Sequence, residues 1–253
     1  MNIILFDGKC RTDLLPFTFT RPVADIRVGI LTICEKWAKV FKANFSYLTE
    51  EYLSAKYPLT ETEENIYIAG NVLPSIELVD AILHLGEGEA LYNDDLLIAV
   101  KGNRLAYEQA DSLGRVDFKE RLIAIRQVYD IFMLNGEAME ADFRLLTIGR
   151  QSAPLSPTVQ VIGEPCFADG LPKLFVEEGV TVECATINLK NGPVYLGVAV
   201  EVMEGTHIRA PFAACEHATV NMGAKIYGAT TLGPYCKVGG ELNNVVIFGY
   251  SNK

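Results

Sequence analysis

Leu196-Gly197-Val198-Ala199-Val200-Glu201 is followed by Val202-Met203-Glu204-Gly205-Thr206-His207 and then by Ile208-Arg209-Ala210-Pro211-Phe212-Ala213. Each block opens on an aliphatic residue, and the frame continues through Ala214, Val220, Ile226, Leu232 and Val238. Four positions after these residues stand Val200, Thr206, Phe212, Ala218, Ala224, Thr230, Cys236 and Leu242, most of them small. A helix repeats its apolar positions at three to four and a half-buried strand at two, so neither explains a period of six. A six-residue period marks a parallel β-helix, in which each unit forms one face of a triangular coil. The aliphatic residue fills the interior and the small one lets the chain turn. Gly197, Gly233 and Gly239 directly follow aliphatic positions and read as corners that need a permissive backbone.

Upstream, Val176 and Val182, with Val180 and Thr186, carry the same pattern until an insertion around Asn188–Pro193 breaks the frame. At three units per coil the in-frame run makes fewer than three coils. It reaches to within a few residues of Lys253 without a polar capping element, so the β-helix reads as incomplete at its C-terminus.

The rest of the chain has a different composition. Residues 1–153 hold 39 charged residues and 9 glycines, whereas residues 154–253 hold 15 and 12. The Pro- and Ser-containing stretch Ala153-Pro154-Leu155-Ser156-Pro157-Thr158 is the natural linker, which predicts domains over residues 1–152 and 153–253. The first half alternates element types: strands at Asn2–Phe6, Asn65–Ala69 and Leu96–Val100, and helical spacing at Arg27–Lys42, Ser75–Leu85 and Tyr129–Thr147. Ser75 is placed to cap its helix. Such alternation predicts an α/β layer structure.

Composition also excludes function classes. With 22 Lys+Arg against 32 Asp+Glu the chain carries −10, without the basic footprint of a nucleic-acid binder. The first apolar run, Ile3-Ile4-Leu5-Phe6, closes at Asp7, too short for a signal peptide or membrane span. Six cysteines at no metal-like spacing read as free buried thiols, and the whole as a cytoplasmic protein with no membrane partner.

The hexapeptide pattern resembles the left-handed β-helix of the hexapeptide acyltransferases. That resemblance implies the left hand, a homotrimer, and active sites between neighbouring coils. At the other end, Ile3-Ile4-Leu5-Phe6-Asp7-Gly8-Lys9-Cys10-Arg11-Thr12, with Leu15-Pro16-Phe17-Thr18, Arg21-Pro22 and Arg27, is similar to the opening strand and phosphate loop of the sugar-1-phosphate nucleotidyltransferases. The resemblance implies a sugar 1-phosphate and a nucleoside triphosphate, or a sugar nucleotide, as partners. Gly8 would offer backbone N–H groups to phosphate, and Arg11, Arg21 and Arg27 would neutralise it. Only Gly8 remains of the family's glycine-rich loop, and Arg21-Pro22 stands where Lys-Pro is usual.

Tyr67-Ile68-Ala69-Gly70-Asn71-Val72-Leu73-Pro74 looks like that family's metal segment, with Asn71 in place of the acidic ligand. If Mg²⁺ is held, Asn71 and Asp94 are the candidate ligands, with Asp95 beside them. Together the two halves resemble a reduced relative of the bifunctional N-acetylglucosamine-1-phosphate uridylyltransferase/glucosamine-1-phosphate acetyltransferases. The expected fold is an α/β nucleotidyltransferase-like N-terminal domain followed by a left-handed parallel β-helix.

For acyl transfer from acetyl-CoA, the resemblance puts the general base, a His, just beyond Phe248-Gly249-Tyr250-Ser251-Asn252-Lys253, and puts Glu241, Asn243 and Asn244 on the sugar-binding edge. The last three equally fit a loop that interrupts the repeat. His84, His207 and His217 read as surface residues, and nothing near Cys10 in the sequence would activate its thiol. Three functions stay open: an enzyme of amino-sugar nucleotide metabolism, a sugar-nucleotide-binding or trimerisation module without turnover, and a sugar acyltransferase with an unrelated front domain.

Overall fold

In the computed structural model, which describes residues 2–43 and 45–253, β1 (Asn2–Phe6) lies between two parallel neighbours, β2 (Phe45–Leu48) and β3 (Asn65–Ala69). Ile3–Phe6 are buried on both faces of the sheet, which explains the unbroken apolar run. The hairpin of β4 (Glu89–Asn93) and β5 (Leu96–Gly102), with β6 (Gly114–Asp117), completes a mixed sheet of order β2-β1-β3-β5-β4-β6. The chain leaves β1 for β2 on one side and returns to β3 on the other. The carboxyl ends of β1 and β3 therefore flank a topological switch point, where open α/β sheets bind ligands.

Helix α1 (Cys10–Asp13) follows β1, and α2 (Ile33–Phe41) precedes β2. Thr32 and Glu35 form a reciprocal capping box at the start of α2, and Trp37, fully buried, donates its indole N–H to the Val72 carbonyl at 2.9 Å. Helix α3 (Ile76–Leu83) begins at Ser75, whose hydroxyl accepts from Leu78 N–H at 3.1 Å, as its sequence predicts. Helix α4 (Arg104–Glu108) follows β5.

Two compact units emerge: the chain up to Ile26 with Thr32–Val128, and Arg27–Leu31 with Tyr129–Lys253. The expected boundary at residues 152/153 falls inside the second. Helices α5 (Asp130–Met133) and α6 (Asn135–Thr147), predicted as one, carry Met139 and Phe143 into a core with Phe175, Tyr195 and Ala213. The predicted helix from Arg27 starts only at Ile33, because Arg27–Leu31 is fixed into the second unit. Gly29 takes a left-handed φ of +77° and donates its N–H to Asn135, while Ile30 and Leu31 N–H both reach the buried Asp142 carboxylate, at 2.8 and 3.0 Å.

Residues 160–247 wind as a left-handed parallel β-helix with three sheets. The first comprises Gln160–Ile162, Thr186–Asn188, His207–Arg209, Lys225–Tyr227 and Glu241–Asn243. The second runs from Leu174–Val176 to Val246–Ile247 and the third from Thr181–Val182 to Lys237–Val238. Every in-frame aliphatic residue from Leu196 to Val238, and every partner from Val200 to Leu242, is at most 3 % exposed. Five strands in the first sheet make the helix longer than the in-frame repeats alone indicate. The extra coils begin at Gln160, where long connections hide the period.

The corners correct one detail of the sequence reading. Gly197 and Gly233 have no left-handed φ; they are glycine because a Cβ would stand 2.9 Å from the Cys215 carbonyl carbon and 1.9 Å from the Phe248 carbonyl oxygen of the next coil. The left-handed corners fall elsewhere, at Gly205, Gly223 and Gly240 on one edge and at Ala199, His217, Tyr235 and Tyr250 on another. On the latter edge His217, Tyr235 and Tyr250 stack in a ladder, with ring centroids 4.7 and 5.3 Å apart.

Candidate functional site

At the carboxyl end of β1 the chain continues for one residue in register, Asp7 N–H donating to the Leu48 carbonyl at 3.1 Å, and turns away at Gly8 with φ +60°. Asp7 is buried at 6 % exposure. One of its oxygens accepts from Val23 N–H at 2.7 Å, and the other from the Thr49 hydroxyl and from the Arg11 guanidinium at 2.8 Å. Arg11, itself 9 % exposed, spends its other terminal nitrogen on the Thr18 carbonyl at 2.6 Å and the Tyr52 hydroxyl at 2.7 Å, and turns its Nε toward Glu50. The Thr18 hydroxyl returns a bond to the Arg11 carbonyl at 2.8 Å, and Tyr52 donates onward to the Phe19 carbonyl. A buried charge is tolerated only with a partner and hydrogen bonds on its remaining atoms. This pair has both, and it ties the loop after β1 to residues 18–23 and to the segment after β2.

The structure therefore brings Gly8, Arg11 and Arg21 together. Arg21 is half-buried, with its carbonyl 3.4 Å from the Arg11 guanidinium. Arg27 belongs to the second unit, buried, bonding to the Ile30 and Phe248 carbonyls and to Cys215 Sγ. Its donors hold backbone inside the β-helix unit. Asp7, Thr49 and Tyr52 were missed by sequence reasoning. Asp7 could have been noticed as the charge that closes the first apolar run. Thr49 and Tyr52 become neighbours of Arg11 only through the β1–β2 pairing.

Asn71 and Asp94, the candidate Mg²⁺ ligands, stand in different settings. Asn71, 1 % exposed, follows β3, and its side-chain amide donates to the Ile125 carbonyl at 3.2 Å, inward rather than toward a ligand. Asp94 is exposed in the β4–β5 turn at φ +51°, and Asp95 pairs with Arg126 at 3.6 Å. Among the described residues, no three His, Cys, Asp or Glu side chains gather as a metal cluster. The carboxylate nearest the loop, Asp7, already has both oxygens engaged.

Cys10 donates its thiol to the Asp7 carbonyl at 3.2 Å, and burial, reinforced by the Asp7 charge, pushes its pKa up to about 12. The thiolate is the nucleophilic form, so Cys10 is inert near neutrality. All six cysteines are free, and Cys166 and Cys184 are exposed rather than buried as their spacing predicts. Iodoacetamide at pH 8 is expected to label Cys166 and Cys184 and to leave Cys10 unmodified, as read by peptide mass spectrometry. Rapid labelling of Cys10 would contradict this placement.

In the β-helix, Glu241–Asn243 is a strand of the first sheet rather than a loop, in register with Lys225–Tyr227, and Leu242 points inward. Glu241 accepts a hydrogen bond from the Tyr227 hydroxyl. Asn243 shares the outer face with Glu241, while Asn244 sits at the next corner with φ +50°. His207 is exposed on the same sheet and His217 on the aromatic ladder; His84 is exposed at the end of α3.

A sheet with a loop and buried ion pair at its switch point, followed by a hexapeptide β-helix, is the build of a nucleotidyltransferase-like chain. A family model described as sugar nucleotidyl transferase matches residues 3–151, more than half of the chain, and the chain belongs to that family. No curated protein matches the chain. Sugar phosphates and nucleoside triphosphates are the partners the family implies. Among the described residues no helix is long and apolar enough to cross a membrane.

Proposed function

We propose that the first unit transfers the nucleotidyl group of a nucleoside triphosphate to a sugar 1-phosphate. The observation that carries this is the family match over residues 3–151, which includes the loop at the β1 switch point. In the reaction a phosphate oxygen of the sugar 1-phosphate bonds to the α-phosphorus of the triphosphate, and the bond to the β-phosphate breaks to release pyrophosphate. In this reading the backbone after Gly8 and the side chain of Arg21 hold phosphate, and the Asp7–Arg11 pair fixes the loop that carries them. With a β-helix behind it, the chain fits UDP-N-acetylglucosamine-type metabolism in the cytoplasm. There the second unit would form a homotrimer and use acetyl-CoA, with Glu241, Asn243 and Asn244 along the sugar edge.

A second reading, sugar-nucleotide binding without turnover, is favoured by two observations: Arg11 is committed to protein partners and Asn71 faces inward. Pyrophosphate release from hexose 1-phosphates with UTP or dTTP, with and without Mg²⁺, separates the readings. Release establishes transfer. A thermal shift with sugar nucleotide but no release establishes the binding module, and neither response overturns both.

A further inference from the structure

The first sheet of the β-helix carries a second polar site, distinct from the β1 loop. A cavity of about 450 Å³ lies on it, lined among others by Asn188, His207, Arg209, Lys225 and Tyr227. Pairing sets their positions: His207 stands opposite Lys225, and Arg209 follows His207 by two residues, as Tyr227 follows Lys225. Alternate residues of a strand share a face and adjacent strands lie about 4.8 Å apart, so these four side chains converge on the outer surface. Ile208 and Ile226 between them point into the core.

The charge arrangement on this face is unusual for the molecule. In a chain of net charge −10, every other arginine among the described residues is engaged by a hydrogen bond, an ion pair or another polar contact. Arg209 has none, nor has Lys225. The acidic side chain nearest to them on this sheet is Glu241, opposite Lys225, and it already accepts from the Tyr227 hydroxyl. Asn188 uses its side-chain oxygen on Lys190 N–H, which leaves its amide donors for the cavity. A face of guanidinium, ammonium, imidazole and amide donors, with its one carboxylate already hydrogen-bonded by a hydroxyl, suits a compact anion with several acceptor oxygens.

We propose that this face binds a phosphate monoester, held by Arg209 and Lys225 with His207 and Asn188 beside them. The site does not depend on nucleotidyl transfer at β1. Full-length protein titrated with inorganic phosphate, and separately with a hexose 1-phosphate, is followed by amide NMR shifts and by equilibrium dialysis. The amides of His207–Arg209 and Lys225–Tyr227 are expected to shift. The R209Q/K225Q double variant is expected to lose those shifts and about tenfold or more of the affinity, with an unchanged melting temperature. Both positions are exposed, so folding is not at stake.

Equal affinity for the two probes supports a site that reads phosphate alone; tighter hexose 1-phosphate binding supports one that also reads the sugar. Absence of shifts at these strands, or a double variant that binds within twofold of the parent, overturns the proposal. Nucleoside triphosphate binding, measured in parallel, is expected to be the same in parent and variant, which keeps this outcome separate from the fate of the β1 reading.

Discussion

Replacing Ile226 by Asp is expected to unfold the β-helix. Ile226 is 1 % exposed in the core that contains Ile208, Val220 and Leu242, with Ile208 and Leu242 stacked on either side of it in the first sheet. A carboxylate there meets no donor, and protonating it only moves the penalty to an unsatisfied acid in an apolar interior. The expected loss is ~4 kcal/mol or more, a large part of the ~5–15 kcal/mol that holds a domain. A solenoid is stabilised mainly through contacts between neighbouring coils, so a damaged coil uncouples those above and below it. Far-UV circular dichroism should show the strand signal lost, while Ile226→Val, which removes one methyl group, should cost only about 1 kcal/mol. An Asp variant that melts like the parent would show that Ile226 does not face inward, and the six-residue register would fall with it.

That register was legible because each interior position of a coil must be filled and each coil repeats the last. Leu196 to Val238 therefore announce themselves by spacing alone. The coils from Gln160 to Pro193 obey the same packing, with Ile187 and Leu189 buried, but long connections erase the period. The short coil between Ile226 and Leu242 shifts the frame by two residues without opening it, which is why Glu241–Asn243 resembles a loop in sequence and is a strand in space. Local signals were equally readable at Ser75 and along β1.

What escaped was non-local. The sequence around Arg27–Leu31 has helical spacing, yet Asn135 and Asp142, more than a hundred residues away, take its N–H groups and hold it out of the helix. The compact units part before the predicted 152/153 boundary for a related reason: α6 is helical and charged like the first half but packs on Phe175 and Tyr195. At the β1 loop the sequence supplied Gly8, Arg11 and Arg21 but not the use made of Arg11, because its partners Thr18, Thr49 and Tyr52 come from two other segments.

Arg11→Ala is accordingly expected to act first on stability. It leaves Asp7 buried with Val23 N–H and the Thr49 hydroxyl but no cation, and strands the Thr18 carbonyl as well. Breaking a buried pair on one side costs roughly 3–5 kcal/mol. Arg11→Lys restores the charge but cannot reach Asp7, the Thr18 carbonyl and the Tyr52 hydroxyl together, so it should recover only part of the loss. The Asp7→Ala/Arg11→Ala double variant should lose less than the sum of its parts, because neither charge is then buried alone. Urea midpoints for the four proteins measure this coupling, and nucleotide binding on the same samples measures the other role. A group whose main work is to hold phosphate would behave in the opposite way, with Arg11→Ala leaving the midpoint in place and weakening only the ligand. A lowered midpoint with Asp7-dependent coupling would instead identify Arg11 as the clamp that shapes the loop, and shift the phosphate-binding role to Arg21 and the backbone after Gly8.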